Sequence, residues 1–236
     1  MLAPTMSDRV GTLTYAPDVA LIGAASGSLP LDFFLIAVCY GLGCFTSAYY
    51  WVRWRTGQDI RQLGSGTVGA RNAGRVLGRW GFAVVLLLDF TKGALAVWLA
   101  TKLDVSPEVT VMAMTAVVVG HAWPAQLRFH GGKGVATSLG AILAFDPLSA
   151  LLLVCVFLVC FALLRNFTLA GLLAFALSPF AGFLNAFGVI EVAALSSLAG
   201  VVLLAHQKNI RQEFAGVLAA RSLKQNSMHT DKGSGL

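Results

Sequence analysis

The sequence predicts an all-α integral membrane protein of seven transmembrane helices, on three observations. The 236 residues are 57% hydrophobic and only 12% charged, against roughly 25% charged residues in soluble domains. The apolar residues are gathered into runs long enough to cross a bilayer, which takes about 20 residues per helix. Finally, the basic residues fall between these runs in a one-sided order. The four cysteines, Cys39, Cys44, Cys155 and Cys160, all lie inside apolar runs. They read as small buried hydrophobes, not as a disulfide framework or a metal site.

Residues 1–30 are mixed in composition and lack the basic-then-apolar pattern of a signal peptide; they are read as a poorly ordered leader. Residues 31–216 form the membrane domain, and 217–236 a polar tail. The crossings are expected at Leu31–Trp51, Gly81–Leu103, Glu108–Leu127, Gly134–Phe145, Pro147–Leu164, Thr168–Phe187 and Val189–Ala205. The fourth is short, and is either a full crossing or a re-entrant or buried half-helix. Asp146-Pro147 interrupts what is otherwise one long apolar run, as a turn would.

Positive charge orients the spans. The connection between the first two carries Arg53, Arg55, Arg61, Arg71, Arg75 and Arg79. Arg128 and Lys133 follow the third span, Arg165 the fifth, and Lys208, Arg211, Arg221, Lys224 and Lys232 the seventh. Fourteen of the seventeen basic residues thus share one side. The amino end is placed outside and the carboxyl end in the cytoplasm. The net charge of +6 belongs to this face and to membrane lipid. No aromatic platform accompanies it, so no nucleic-acid partner is expected.

Two glycine-rich stretches stand on the same face. In "QLGSGTVGARNAGRVLG", Gly64, Gly66 and Gly69 imitate a dinucleotide fingerprint with Asp89 downstream. The flanking spans deny the strand–helix–strand unit that this fingerprint needs. In "FHGGKGVATS", Lys133 is followed by Gly134 and not by Ser or Thr, so it is no Walker A loop. What remains is anion recognition: glycines let backbone amides approach a phosphate, a helix start adds partial positive charge, and Arg71, Arg75 and Lys133 supply full charges. The competing reading is that the glycines only make turns and close packing.

Within the spans, Asp89 and Lys92 are three apart and share a helix face. They read either as a structural ion pair or as a functional one. His121 either meets the loop that follows it or caps its span. His206 and Asn209 lie one turn apart after the last span. No metal-ligand cluster and no cofactor motif stands in the sequence.

In order, "DIRQLGSGTVGARNAGRVLG", "LLLDFTKGALAVWLA", "GHAWPAQLRFHGGKGVATSLG" and "HQKNI" resemble the bacterial acyl-phosphate:glycerol-3-phosphate acyltransferases, the PlsY family, over about 32–216. The resemblance implies a seven-helix enzyme of the bacterial inner membrane with a cytoplasm-facing site. It implies transfer of a fatty acyl group from acyl-phosphate to the 1-hydroxyl of glycerol 3-phosphate, giving lysophosphatidic acid without a cofactor. A separate acyl-carrier-protein-dependent enzyme would supply the acyl-phosphate.

Residue by residue, Ser65, Asn72 and Arg75 match the family's first motif. Gly131, Gly132, Lys133, Gly134 and Thr137 match the second, and His206 and Asn209 the third. The resemblance thus gives Ser65, Arg75, Lys133, His206 and Asn209 catalytic roles. With the anion reading of the two loops, Gly64, Gly66, Gly69, Arg71, Asn72, Gly131, Gly132, Gly134 and Thr137 are the expected phosphate contacts, and Asp89, Lys92, His121 and Thr168 the candidate supports within the membrane. The chain departs from the family at Thr67, where Asn is usual, at Arg71, where Thr is usual, at Gly171 in a Ser-x-x-Ser position, and at Leu218 in place of Glu. The base is either His206 or the substrate's own phosphate. The alternative is a diverged, non-enzymatic membrane protein or a transporter of organic phosphate.

Overall fold

The structure, a computed structural model, describes residues 29–207. Among them are eight α-helices, two short 3-10 turns and no strand. The helices are α1 Leu29–Cys44, α2 Ser47–Thr56, α3 Ala70–Lys102, α4 Pro107–Ala122, α5 Val135–Phe145, α6 Pro147–Leu164, α7 Phe167–Leu184 and α8 Val189–Ala205. The 3-10 turns are Ile60–Gln62 and Ala125–Leu127. Four helical stretches are long and apolar enough to cross a membrane: Leu29–Thr56, Ala70–Lys102, Pro147–Leu164 and Phe167–Leu184.

Two expected boundaries are corrected, and one addition is found. The first span is not one helix to Trp51: Thr46 takes an extended conformation (φ −89°, ψ 94°) and breaks α1 from α2. Its hydroxyl is buried without a hydrogen-bond partner, so the break is not capped locally. Ahead of the second span, which begins after Gly78 in keeping with the expected Gly81, lies a short helical segment, 70–77. Its first two turns carry Arg71 and Arg75, which lower the local hydropathy, yet Asn72 and Ala73 are buried there. Gly78 then kinks the helix at φ 73°, ψ −168°, a region open only to glycine. The third span stops at Ala122, because Pro124 and the 3-10 turn at Ala125–Leu127 replace its last turn.

Other ends follow from local chemistry. Ser106 caps α4 by accepting from Val109 N, with Pro107 in the first turn. Asp146 caps α6, accepting from Leu148 N and Ser149 N, and the chain is interrupted there as the Asp-Pro pair led one to expect. Asn166 caps α7 through Thr168 N and Leu169 N. Arg165 ends α6 in the left-handed region at φ 50°. The eleven residues of α5 make a rod of about 16 Å, half the hydrocarbon thickness of about 30 Å.

Four glycines set the two closest helix crossings. A Cβ on Gly43 of α1 would strike the Val117 carbonyl of α4, and one on Gly120 of α4 would strike the Tyr40 carbonyl of α1. Likewise a Cβ on Gly93 of α3 would meet the Thr137 carbonyl of α5, and one on Gly140 of α5 the Phe90 carbonyl of α3. Between helices in lipid, association rests on such close backbone approach. The core around them is aliphatic, with Leu35, Met114, Val117, Val118, Ile142, Leu195 and Leu198 buried. Large apolar side chains cover the outside, among them Phe34, Leu87, Leu163 and Val189, as a lipid-facing surface requires. Along α3 the exposed Trp80 and Trp98 are separated by a rise of about 27 Å, close to the distance between the two interfacial aromatic belts of a bilayer.

Gly140→Ala is expected to destabilise the detergent-solubilised protein by about 1–3 kcal/mol, because the obstructing atom is backbone and cannot rotate away. Gly200, inside α8, has open space where a Cβ would stand, so Gly200→Ala should be neutral or stabilising by up to about 1 kcal/mol. Thermal unfolding of the two variants side by side checks the contrast, and equal shifts would show that the α3–α5 crossing is looser than described.

Candidate active site

Four connections meet at one end of the bundle: 57–69 between α2 and α3, 123–134 between α4 and α5, the turn 165–166 between α6 and α7, and His206 after α8. Specific bonds hold them together. Arg61 is clamped by Asp59 through paired bonds of 2.6–3.1 Å and donates from Nη1 to the Leu127 carbonyl at 3.1 Å, joining the first loop to the second. The hydrogen bond from Arg61 is the main cause holding the Asp59 carboxyl below its ordinary pKa. Gln126 donates its side-chain amide to the Cys44 carbonyl. Arg71 Nη1 donates to Thr168 Oγ1 at 2.9 Å while its guanidinium lies 5.6 Å over the Phe167 ring, tying the start of α3 to the start of α7.

Asn72 folds the first loop from inside. It is fully buried. Its Oδ1 accepts from Ser65 N at 2.9 Å, and its Nδ2 faces the carbonyls of Ile60, Leu63 and Thr67 at 3.3, 2.9 and 3.0 Å. Gly64 and Gly66 sit at φ 55° and 70°, and a Cβ on Gly64 would collide with Asn72 Oδ1. These two glycines are therefore needed to wrap the chain around one amide. Gly69 is different: at φ −158° it is extended, which any residue adopts. The Ser65 hydroxyl is exposed and pairs with Thr67 Oγ1 at 2.9 Å.

The second loop departs from the expected nest of outward-facing amides. Gly131 N donates to the Ala122 carbonyl at 3.1 Å and Gly132 N to the His121 carbonyl at 3.0 Å, so both are spent on the end of α4. In the first loop, Ser65 N and Gly66 N are likewise spent, on Asn72 Oδ1 and the Leu63 carbonyl. The reason is that buried loops must satisfy their own backbone first. The amides left for an anion are those of the helix starts. In α5 the first intrahelical bond is Ser138 N to Gly134 O, which leaves the N–H groups of the first turn without an intrahelical acceptor. Gly134 starts this helix at φ 78°. Thr137, in that first turn, is fully buried with no hydrogen-bond partner for its hydroxyl.

Charge converges on the same point. Burial pushes the Lys133 ammonium below its ordinary pKa, and the positive charges of Arg71 and Arg75 add to the shift. Three cations are thus close enough to repel one another. His206 is buried, and its Nδ1 lies 2.7 Å from the Val202 carbonyl. A carbonyl only accepts, so Nδ1 carries the proton and Nε2 keeps its lone pair. Burial lowers the imidazole's pKa, the Val202 bond raises it, and the charge of Lys133 lowers it again. Asn209 lies outside the described residues.

Behind the loops, Asp89, Lys92 and His121 meet in the interior with Ser47, which sequence reasoning did not single out. Lys92 Nζ is 3.0 Å from Asp89 Oδ1 and 2.8 Å from His121 Nδ1, and Ser47 Oγ donates to Asp89 Oδ1 at 2.8 Å. Asp89, Lys92 and His121 are no more than 5% exposed. Ser47 and Arg61 are the members missed at the sequence level. Only the intramembrane Asp–Lys pair hinted that further polar partners must be near. Of the expected residues, Lys133, Arg71, Arg75, Thr137 and His206 come together at the helix starts. Asn72 serves as the brace of a loop, and Thr168 as the partner of Arg71.

A family model described as glycerol-3-phosphate acyltransferase matches residues 33–216. The chain is 45% identical to glycerol-3-phosphate acyltransferase 1 of Desulfitobacterium hafniense (strain Y51) over 183 residues, 77% of this chain and 90% of that protein. It is 40% identical to the glycerol-3-phosphate acyltransferase of Myxococcus xanthus (strain DK1622) over 194 residues, 81% of this chain and 92% of that one. The crystal structure of PlsY (YgiH), an integral membrane glycerol 3-phosphate acyltransferase, in its glycerol 3-phosphate form superposes with a TM-score of 0.70 at 32% identity, covering 79% of this chain and 93% of that one. Its lysophosphatidic acid form gives 0.69 at 31%.

Asn72→Asp replaces the donating amide with an acceptor facing three carbonyls. The first loop is expected to loosen, with limited trypsin cleavage at Arg61 or Arg71 at least about tenfold faster, corresponding to a loss of about 1–3 kcal/mol for unsatisfied buried groups. Unchanged cleavage would remove Asn72 from its bracing role.

Proposed function

This chain belongs to the glycerol-3-phosphate acyltransferase family, and we propose on that premise that it transfers a fatty acyl group from acyl-phosphate to the 1-hydroxyl of glycerol 3-phosphate. The products are lysophosphatidic acid and phosphate. The observation that carries this reading is the convergence of Lys133, Arg71 and Arg75 at the start of α5, beside a histidine whose Nε2 carries the lone pair. Both substrates are phosphates, and the acyl donor is also a lipid. A cationic recess at the end of a lipid-embedded bundle suits both.

In the proposed reaction Lys133 and Arg75 hold phosphate, with the first-turn amides of α5 and the Thr137 hydroxyl completing the cradle. The 1-hydroxyl of glycerol 3-phosphate attacks the acyl carbonyl carbon. The C–O bond to the phosphate leaving group then breaks, and the hydroxyl proton passes to His206 Nε2. The donor is already activated, so positioning and charge stabilisation are the enzyme's main tasks. Arg71 differs in part: its bond to Thr168 supports a role in shaping the mouth of the site and adding field, more than one of gripping phosphate alone. Asn209 is assigned here on its motif position.

The proposed topology counts α1 with α2 as one crossing and α3 to α8 as six more, with the amino end outside and the carboxyl end in the cytoplasm. Supporting it, the connections bearing Arg53 to Arg79, Arg128, Lys133 and Arg165 alternate along the chain with those carrying Asp104, Asp146 and Glu191. The site would then face the cytoplasm of a bacterial inner membrane. A separate acyl-carrier-protein-dependent enzyme would deliver acyl-phosphate to it. Cysteine labelling of 64–78 from the cytoplasmic side only is the expected result, and labelling from the periplasm overturns this placement.

Purified protein should acylate glycerol 3-phosphate with acyl-phosphate and not at an equal rate with acyl-CoA; the reverse preference would replace the donor. Lys133→Ala should lower kcat/KM for glycerol 3-phosphate about 10- to 100-fold, as expected for a lost charge-assisted contact of roughly 1.5–3 kcal/mol. Lys133→Arg should also fall, since a planar five-donor fork does not reproduce the compact point charge of an ammonium placed beside Arg71 and Arg75. In the native enzyme the lowered pKa means that the Lys133 cation is complete below that value and is lost as pH rises through it. The pH profile of kcat/KM should therefore decline earlier than an ordinary lysine would dictate. Wild-type kinetics in both variants would remove Lys133 from the site.

A further inference from the structure

We propose that Asp89, Lys92 and His121 form a buried ionic brace that positions the Gly131–Gly134 segment, and Lys133 with it, against the first loop; this rests on reading Lys133 as a phosphate contact. The brace has two outputs. The first is the break between α1 and α2. Interrupting the helix at Phe45–Thr46 leaves carbonyls without intrahelical donors, and Lys92 Nζ reaches those of Gly43 and Phe45 at 3.3 and 3.0 Å. The ammonium thereby stabilises the turn from which α2 departs, and α2 leads directly into the first loop. Asp89 neutralises the ammonium at 3.0 Å and is itself fixed by Ser47, the first residue of α2.

The second output is His121. An ammonium only donates, so His121 Nδ1 accepts from Lys92 and the proton lies on Nε2. Held in this way, the ring fills the place that a side chain on Gly132 would need: a Cβ there would collide with His121 Nε2 and with the Val68 carbonyl. The main chain of the same residue accepts from Gly132 N, and that of Ala122 from Gly131 N. Ring and carbonyl together form a seat for Gly131-Gly132, and Lys133 is the next residue along. Val68 belongs to the first loop, so Gly132 is wedged between the brace and that loop. One buried cation thus sets both the departure of α2 and the seat of the second loop, and the relative placement of the two cationic segments follows from it.

The test uses His121, because removing Lys92 or Asp89 alone strands a buried charge. In His121→Asn the side-chain oxygen stands where Nδ1 was and still accepts from Lys92. In His121→Gln the amide stands where Nε2 was, and the Lys92 acceptor is lost. His121→Asn is expected to retain activity within a fewfold of wild type. His121→Gln and His121→Ala should raise the KM for glycerol 3-phosphate and lower kcat/KM by about 10- to 100-fold, the scale of a misplacement of about 1 Å. A double-mutant cycle with Lys133→Ala adds a readout that simple destabilisation does not move. If the brace acts through Lys133, the loss in His121→Gln/Lys133→Ala should be no greater than in Lys133→Ala alone. Equal activity of the Asn and Gln variants, or losses that multiply independently in the cycle, would overturn the brace. Should His121→Ala fail to fold, the Asn and Gln pair decides. A Lys133→Ala protein with wild-type kinetics would instead sink the phosphate-site reading, and the cycle separates that failure from this one.

Discussion

The buried ammonium of Lys92 is the constraint on which the arrangement of this end of the bundle depends. A charge inside a membrane protein is tolerable only when it is neutralised and when each of its protons has an acceptor. Here Asp89 supplies the opposite charge, and the acceptors are His121 Nδ1 and two main-chain carbonyls. Those carbonyls exist because the first apolar run is not one helix. The break and the ammonium therefore require each other: without the break Lys92 lacks acceptors, and without Lys92 the break leaves bare carbonyls in a place water does not reach.

A second economy governs the two glycine-rich loops. Loops packed at the end of a bundle have backbone groups to satisfy before they have any to offer. Asn72 takes up one amide and three carbonyls of the first loop, and the end of α4 takes up the amides of Gly131 and Gly132. The glycines then matter less as amide donors than as residues that let chains lie against Asn72 and His121 without a side chain intervening. Electropositive character is left to the starts of α3 and α5 and to the side chains of Lys133, Arg71 and Arg75. This division explains how a loop can be rigid and still present charge: the main chain is used for shape and the side chains for field.

The same geometry accounts for the short α5. A helix of eleven residues is about half the length needed to run from one bilayer surface to the other. Its start is half-enclosed by α3, to which Gly93 and Gly140 hold it at backbone contact. Lys133 stands next to this start, half-buried, and that burial together with Arg71 and Arg75 presses its pKa down.

Sequence alone determined the helical class, the apolar stretches, the gathering of arginines into particular connections and the Asp-Pro interruption before α6, because each depends on local composition or on a residue's own backbone. It did not show that the first run is broken at Thr46, that a short helical segment, 70–77, precedes the second crossing, or that Ser47 and His121 meet the Asp89–Lys92 pair. Hydropathy sums neighbours along the chain, whereas Lys92 meets acceptors 29 to 49 residues away, and Asn72 and Ala73 are buried within a polar segment only because other elements fold over them. The direction of the Gly131 and Gly132 amides was likewise a tertiary decision. Glycine permits many backbone conformations, and the carbonyls at the end of α4 selected one of them.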